Sequence, residues 1–142
     1  MNLKVVNAAQ AAIAGRIVLP LNSGLCLKTT RIVVEHGYKI PGGSLYKHIT
    51  YRTVSNDYYA HDLERSLAAK GWSVSLNQRQ PGDLLFAKIS MPYGHVGILL
   101  PNDLVLENTW ARRGRVIRGA IKLTPLAQWD KVSTVIRLPA VI

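Results

Sequence analysis

The chain has a single cysteine, Cys26, so no internal disulfide can form and the fold cannot depend on oxidation. Acidic residues are scarce as well: 8 Asp and Glu stand against 18 Lys and Arg, a formal net charge of +10. So basic a chain is drawn to polyanions, whether nucleic acid, an acidic lipid surface or an anionic cell wall. No apolar run approaches the roughly 18 residues of a membrane-crossing helix. Repeats, low-complexity tracts and Pro/Gly/Ser-rich linkers are missing too, so residues 1–142 read as one domain. What is present is a hydrophobic fraction of 48%, which excludes a disordered chain and is enough for a real core at this length.

Met1 to Lys4 followed by Val5 to Ala14 has a faint signal-peptide look, but Asn7 and Gln10 interrupt the apolar stretch. Leu3 to Arg16 instead reads as an amphipathic first helix. Pro20 and Asn22-Ser23-Gly24 make a turn, with Asn22 or Ser23 placed to cap a second helix from Leu25 to about His36. Gly37 is a fitting stop for that helix. Pro41-Gly42-Gly43 opens an irregular stretch to about Ser55. Asn56 is a cap for a third helix over Asp57 to Lys70, ended by Gly71.

After Gly71 the pattern turns to strands. Trp72, Val74 and Leu76 alternate. Leu84–Ala87, His95–Leu100, Leu104–Glu107, Val116–Arg118 and Thr134–Leu138 are short apolar or alternating runs between turn residues. Helices first and strands after predict an α+β fold, with N-terminal helices packed on a C-terminal antiparallel twisted sheet.

Cys26 falls at the start of the second helix, where unpaired backbone N–H groups carry partial positive charge and favour a thiolate. The same N–H groups could hold an oxyanion, with Asn22 a further candidate for that hole. A cysteine nucleophile needs a base. His36 lies too far along its helix, His48 and His61 read as surface or capping residues, and no histidine spacing fits a common zinc site. His95 is different: it opens the apolar run His95-Val96-Gly97-Ile98-Leu99-Leu100, a costly place for a polar group without partners.

A third group must orient the imidazole. Glu107 and Asn108 lie on the next strand, and the hairpin register decides between them. A three-residue loop at Pro101-Asn102-Asp103 puts Glu107 on the His95 face; a two-residue loop puts Asn108 there. Tyr93, just before the His strand, and Trp110, just after the third-residue strand, are candidates for lining a substrate cleft. Trp72 and Trp129 read as core or interface residues.

These residues resemble the NlpC and CHAP groups of papain-like cysteine peptidases and amidases. Pro81-Gly82-Asp83-Leu84-Leu85-Phe86, Gly94-His95-Val96-Gly97-Ile98 and Leu106-Glu107-Asn108-Thr109 look like the sheet signature of those groups. Gly24-Leu25-Cys26-Leu27 followed by Arg31 looks like a CHAP-type cysteine helix. NlpC proteins usually carry Asp-Cys-Ser-Gly there, whereas Ser23-Gly24 precede the cysteine here. The resemblance implies a papain-like core and hydrolysis of amide bonds in the peptide part of bacterial peptidoglycan, with no metal or organic cofactor. It implies Cys26 as nucleophile, His95 as base and Glu107 or Asn108 as the orienting group.

Arg112, Arg113, Arg115, Arg118 and Lys122 follow, either as a solvated hairpin edge or as a groove wall for an anionic polymer. Three rivals accompany the hydrolase reading: a basic nucleic-acid-binding module, a silent wall-binding or partner-binding domain, and an acyltransferase or deamidase using the same Cys/His pair. The hydrolase reading also predicts a protein held in the cytoplasm until released, as in a phage lysis system or an injected effector, and acting at the cell wall.

Overall fold

β2 (Leu84–Ala87) and β3 (His95–Leu100) are buried at every residue, so these strands must be covered on both faces. The computed structural model, which describes residues 1–54 and 57–142, shows how. Three α-helices precede the sheet: α1 (Leu3–Ile13), α2 (Cys26–Tyr38) and α3 (Ala60–Ala69). Five further strands complete it: β1 (Ser73–Val74), β4 (Leu104–Asn108), β5 (Arg115–Arg118), β6 (Ile121–Pro125) and β7 (Thr134–Ile136). The seven strands lie in the order β1-β7-β2-β3-β4-β6-β5, and every pairing is antiparallel. This is the α+β arrangement expected, with helices N-terminal to the sheet.

The two-residue period of the strands divides the core. Leu84, Phe86, Val96, Ile98, Leu100 and Leu106 join the large core under the helices. Leu85, Ala87, Leu99, Val105 and Val135 form a smaller core on the opposite face, closed by Trp129. α2 lies on β3 and β4, α1 lies on α2, and α3 packs on β2, β3 and β7. α1 buries Val5, Val6, Ala8, Ala9 and Ala12, so this segment is part of the core.

Several expected boundaries need correction. α1 ends at Ile13, short of Arg16. α2 runs through Gly37 to Tyr38 and is closed by Lys39 in the left-handed region, φ 55°. Gly37 serves a different purpose from a stop. A Cβ there would lie 2.5 Å from the Lys4 carbonyl oxygen, so its bare backbone lets α1 approach. Neither Asn22 nor Ser23 caps α2: the cap position is Leu25, with no side-chain hydrogen bond. α3 starts at Ala60, and the Asp62 carboxylate accepts the Tyr59 N–H at 3.1 Å. The expected cap, Asn56, lies outside the described residues. The strand expected at Trp72–Leu76 shrinks to Ser73–Val74, and Thr134–Leu138 to Ile136. Strand β6 was not expected, although Ile121, Leu123 and their polar neighbours alternate as a half-buried strand should.

Candidate active site

Two tethers position Cys26. The Asn108 amide, on the helix side of β4, donates to the carbonyls of Pro20 (3.1 Å) and Asn22 (2.9 Å). The Ala120 N–H adds a bond to the Leu21 carbonyl at 2.8 Å. The turn ahead of α2 is thereby fastened to the sheet, and Gly24, at φ 81°, turns the chain into the helix. Cys26 is the first residue of α2 and is half-buried. Because no side chain caps this helix end, its first N–H groups are left to whatever enters beside the thiol.

His95 opens β3. Leu100 pairs with Leu104 across the Pro101–Asp103 loop, so the three-residue loop is the one formed. Asn102 and Asp103 take the left-handed conformations that close it, at φ 65° and 53°. That register puts Glu107 on the His95 face, and the His95 Nε2 bonds Glu107 Oε1 at 2.7 Å. The Asn108 side chain is turned away from His95 to the Pro20 and Asn22 carbonyls. It faces the helices and acts on the backbone before Cys26. Cys26 and His95 line the same cleft, and with Nε2 taken by Glu107 the nitrogen left over on the ring is Nδ1. The ring also stacks on Trp129, centroids 5.4 Å apart. Gly97 makes room below: a Cβ there would sit 2.5 Å from Val105 Cγ1 and 3.6 Å from the Trp129 ring.

Glu107 is fully buried yet surrounded by donors. Arg113 binds both oxygens, with Nε on Oε2 at 3.1 Å and an Nη on Oε1 at 2.7 Å. Trp129 Nε1 donates at 3.0 Å, and the Thr124 hydroxyl donates as well. Arg113 continues to Asp130 at 2.9 Å. Burial alone would push the Glu107 carboxyl up. Hydrogen bonds from His95, Arg113 and Thr124, with the Arg113 charge, outweigh it and hold the group at about 2. Burial likewise pulls His95 down, but bonds to Cys26 and Glu107, with their charges, raise it to about 9. Arg113 is also raised: burial opposes its charge, and its bonds to Asp130 and Glu107 prevail. A group raised to about 9 keeps its imidazole protonated at neutral pH.

The thiol and imidazole open into a cleft of about 870 Å³ lined by Tyr46, Tyr58, Tyr59, Tyr93, Trp110 and Asp130, among others. Tyr93 and Trp110 therefore lie where expected, 49% and 77% exposed. Asn22 does not line the cleft; its contribution is the carbonyl held by Asn108. His48 and His61 are half-buried, not surface residues. His48 packs on Trp72, and His61 Nδ1 bonds the buried Glu64 at 3.0 Å. Among the described residues, no group of three His, Cys, Asp or Glu side chains could hold a metal ion.

The basic stretch is neither a solvated edge nor a continuous groove wall. Arg113 serves Glu107. Arg118 caps α1 through the Ala12 carbonyl at 2.6 Å, and Lys122 binds the Ala111 carbonyl. Arg112 and Arg115 are the exposed members. Sequence reasoning missed Arg113, Thr124 and Asp130 as parts of the site. The alternation of Ile121–Pro125 could have disclosed Thr124, because it makes β6 a neighbour for β4. No known protein family matches this chain, and no curated protein is similar to it at a meaningful level.

Proposed function

We propose that the protein is a cysteine hydrolase of amide bonds, with Cys26 as nucleophile, His95 as base and Glu107 as the group that orients His95. The observation that carries this reading is that Cys26, at an uncapped helix start, and His95, bonded to the buried Glu107 carboxylate, open into one cleft. A structural cysteine has no use for such a neighbour, whereas a nucleophile needs a base and the base an orienter.

The reaction would run in two halves. His95 Nδ1 takes the thiol proton, and Sγ attacks the amide carbonyl carbon. The new oxyanion faces the first N–H groups of α2. The C–N bond then breaks as the amine takes the proton from His95, leaving a thioester. Water gives a proton to His95 and its oxygen to the carbonyl carbon. The C–S bond breaks, and the acid and the free thiol are released.

Peptidoglycan peptides are the proposed substrate class, on the resemblance to NlpC and CHAP proteins and on the attraction of a +10 chain to an anionic wall. The proposed place of action is accordingly the cell wall, reached after release. No helix among the described residues is long and apolar enough to cross a membrane.

Digestion of purified peptidoglycan by the wild type and by Cys26→Ala, with fragments identified by mass spectrometry, tests the proposal. Soluble peptides with new amine ends, or peptide-free glycan, are expected from the wild type alone. Release by both proteins, or by neither while both are folded, would remove peptidoglycan hydrolysis as the function.

A further inference from the structure

A buried glutamate is an expensive orienting group, because its charge must be satisfied wherever the imidazole is not charged. An asparagine or glutamine would orient a ring without that cost. The structure answers with a fork: Arg113 reaches from the β4–β5 connection, grips both oxygens of Glu107 and is itself fixed by Asp130. Its side chain is mostly buried, and with Asp130 it lines the cleft.

We propose that Arg113 is a positioning residue that keeps Glu107 ionised and aimed at His95, and so governs the reactivity of Cys26. This rests on the Cys26–His95 reading above. The groups facing Glu107 come from every element around it. They are His95 on β3, Lys122 and Thr124 on β6, Trp129 after β6, and Arg113 itself. Lys122 is the direct cross-strand neighbour, but its ammonium is turned to the Ala111 carbonyl. Among the described residues, Arg113 is thus the cation bonded to the Glu107 carboxylate through both oxygens. A guanidinium suits this task because its planar fork matches a carboxylate, which a lysine ammonium does not.

Removing the fork takes away the Arg113 bonds and charge and leaves only His95, Thr124 and Trp129 to oppose burial, so Glu107 moves toward its protonated form in mildly acidic solution. A protonated Glu107 no longer supports an imidazolium, so the thiolate on the other side of the ring loses its counter-ion. The consequence is a pH effect, not a uniform loss.

The test measures alkylation of Cys26 by iodoacetamide from pH 4 to 9 in the wild type, R113Q, R113K, E107Q and the E107Q/R113Q double variant, with folding checked by circular dichroism. R113Q is expected to lose about tenfold or more in rate at pH 5 relative to its own rate at pH 8, beyond any loss in the wild type. R113K should move the same way but less. In the E107Q background the Arg113 substitution should change the profile by less than about twofold, because no carboxylate remains to be held. A wild-type profile in R113Q would overturn the proposal, as would an equal Arg113 effect with and without Glu107. Should R113Q fail to fold, R113K carries the same decision. Wild-type Cys26 reacting no faster than free glutathione would instead count against the nucleophile itself.

Discussion

At the residue scale, the site is a run of titratable groups: the Cys26 thiol, the His95 imidazole, the Glu107 carboxylate, the Arg113 guanidinium and the Asp130 carboxylate. The raised His95 and the depressed Glu107 belong to one arrangement, and each has a definite sign for stability. His95 rises from 6.5 to about 9, so its contribution is complete below about 6.5 and is lost as pH rises through about 9. Glu107 falls from 4.5 to about 2, so its contribution is complete above about 4.5 and is lost as pH falls through about 2. Both act in full only between those limits, about 4.5 and 6.5. Cys26→Ser should remove the Cys26 part of the His95 shift while leaving Glu107 in place. The His95 ring, followed by NMR across pH, is expected to titrate below its wild-type value; an unchanged midpoint would mean the thiol does not face the ring. Cys26 and His95 were legible in the sequence, one at a helix start and one at the mouth of an apolar strand. The choice of Glu107 over Asn108 was not, because a single step of register exchanges them. Arg113 was hidden by its company in a run of basic residues, since sequence does not show which of them turn inward.

At the element scale, the site depends on α2, packed on β3 and β4, bringing its first residue into the cleft that His95 opens at the start of β3. α2 in turn packs on α1, and Gly37 is where their backbones approach without a side chain between them. Gly37→Ala isolates the effect. Alanine gains about 1 kcal/mol over glycine in helix propensity. Its Cβ, however, would meet the Lys4 carbonyl oxygen at 2.5 Å and carbon at 2.8 Å, both backbone atoms that move only if α1 moves. Overpacking of this kind costs about 1–3 kcal/mol, so a net loss of stability is expected in chemical denaturation. A variant as stable as the wild type or more so would mean that α1 is free to shift. The helices and most strands could be read from apolar spacing, because each periodicity reports a buried face. The end of α2 could not, because a glycine that stops a helix and a glycine that admits a neighbour look the same in one dimension. β6 escaped for a related reason: Lys122 reads as the end of the basic tract and Thr124 stands out in no pattern, yet both are buried against β4.

At the scale of the whole molecule, the fold sharpens a charge imbalance that composition only hints at. Of 8 acidic residues, Glu35, Asp62, Glu64, Asp83 and Glu107 are buried. Asp103 is paired with Arg79, and Asp130 with Arg113. Twelve Lys and Arg residues are exposed, Lys28, Lys88 and Arg112 among them, against only Asp57 and Asp103 among the acids, so the imbalance lies at the surface. The cleft differs from that surface. Four tyrosines and Trp110 line it, Arg113 is neutralised by Glu107 and Asp130, and Lys28 is the exposed basic residue on its wall. On the proposed reading, attraction to a polyanion and reaction at the thiol would rest mainly on different groups, and salt should separate them. Screening shortens the Debye length from about 10 Å at 0.1 M to about 3 Å at 1 M and acts on exposed charges far more than on buried pairs. Solubilisation of intact walls is expected to fall about tenfold or more between 0.1 M and 1 M NaCl, while Cys26 alkylation by neutral iodoacetamide stays within about twofold. Equal losses in both would mean that salt acts on the Cys26–His95–Glu107 line itself. Equal resistance in both would mean that the basic surface does not bring the protein to its polymer.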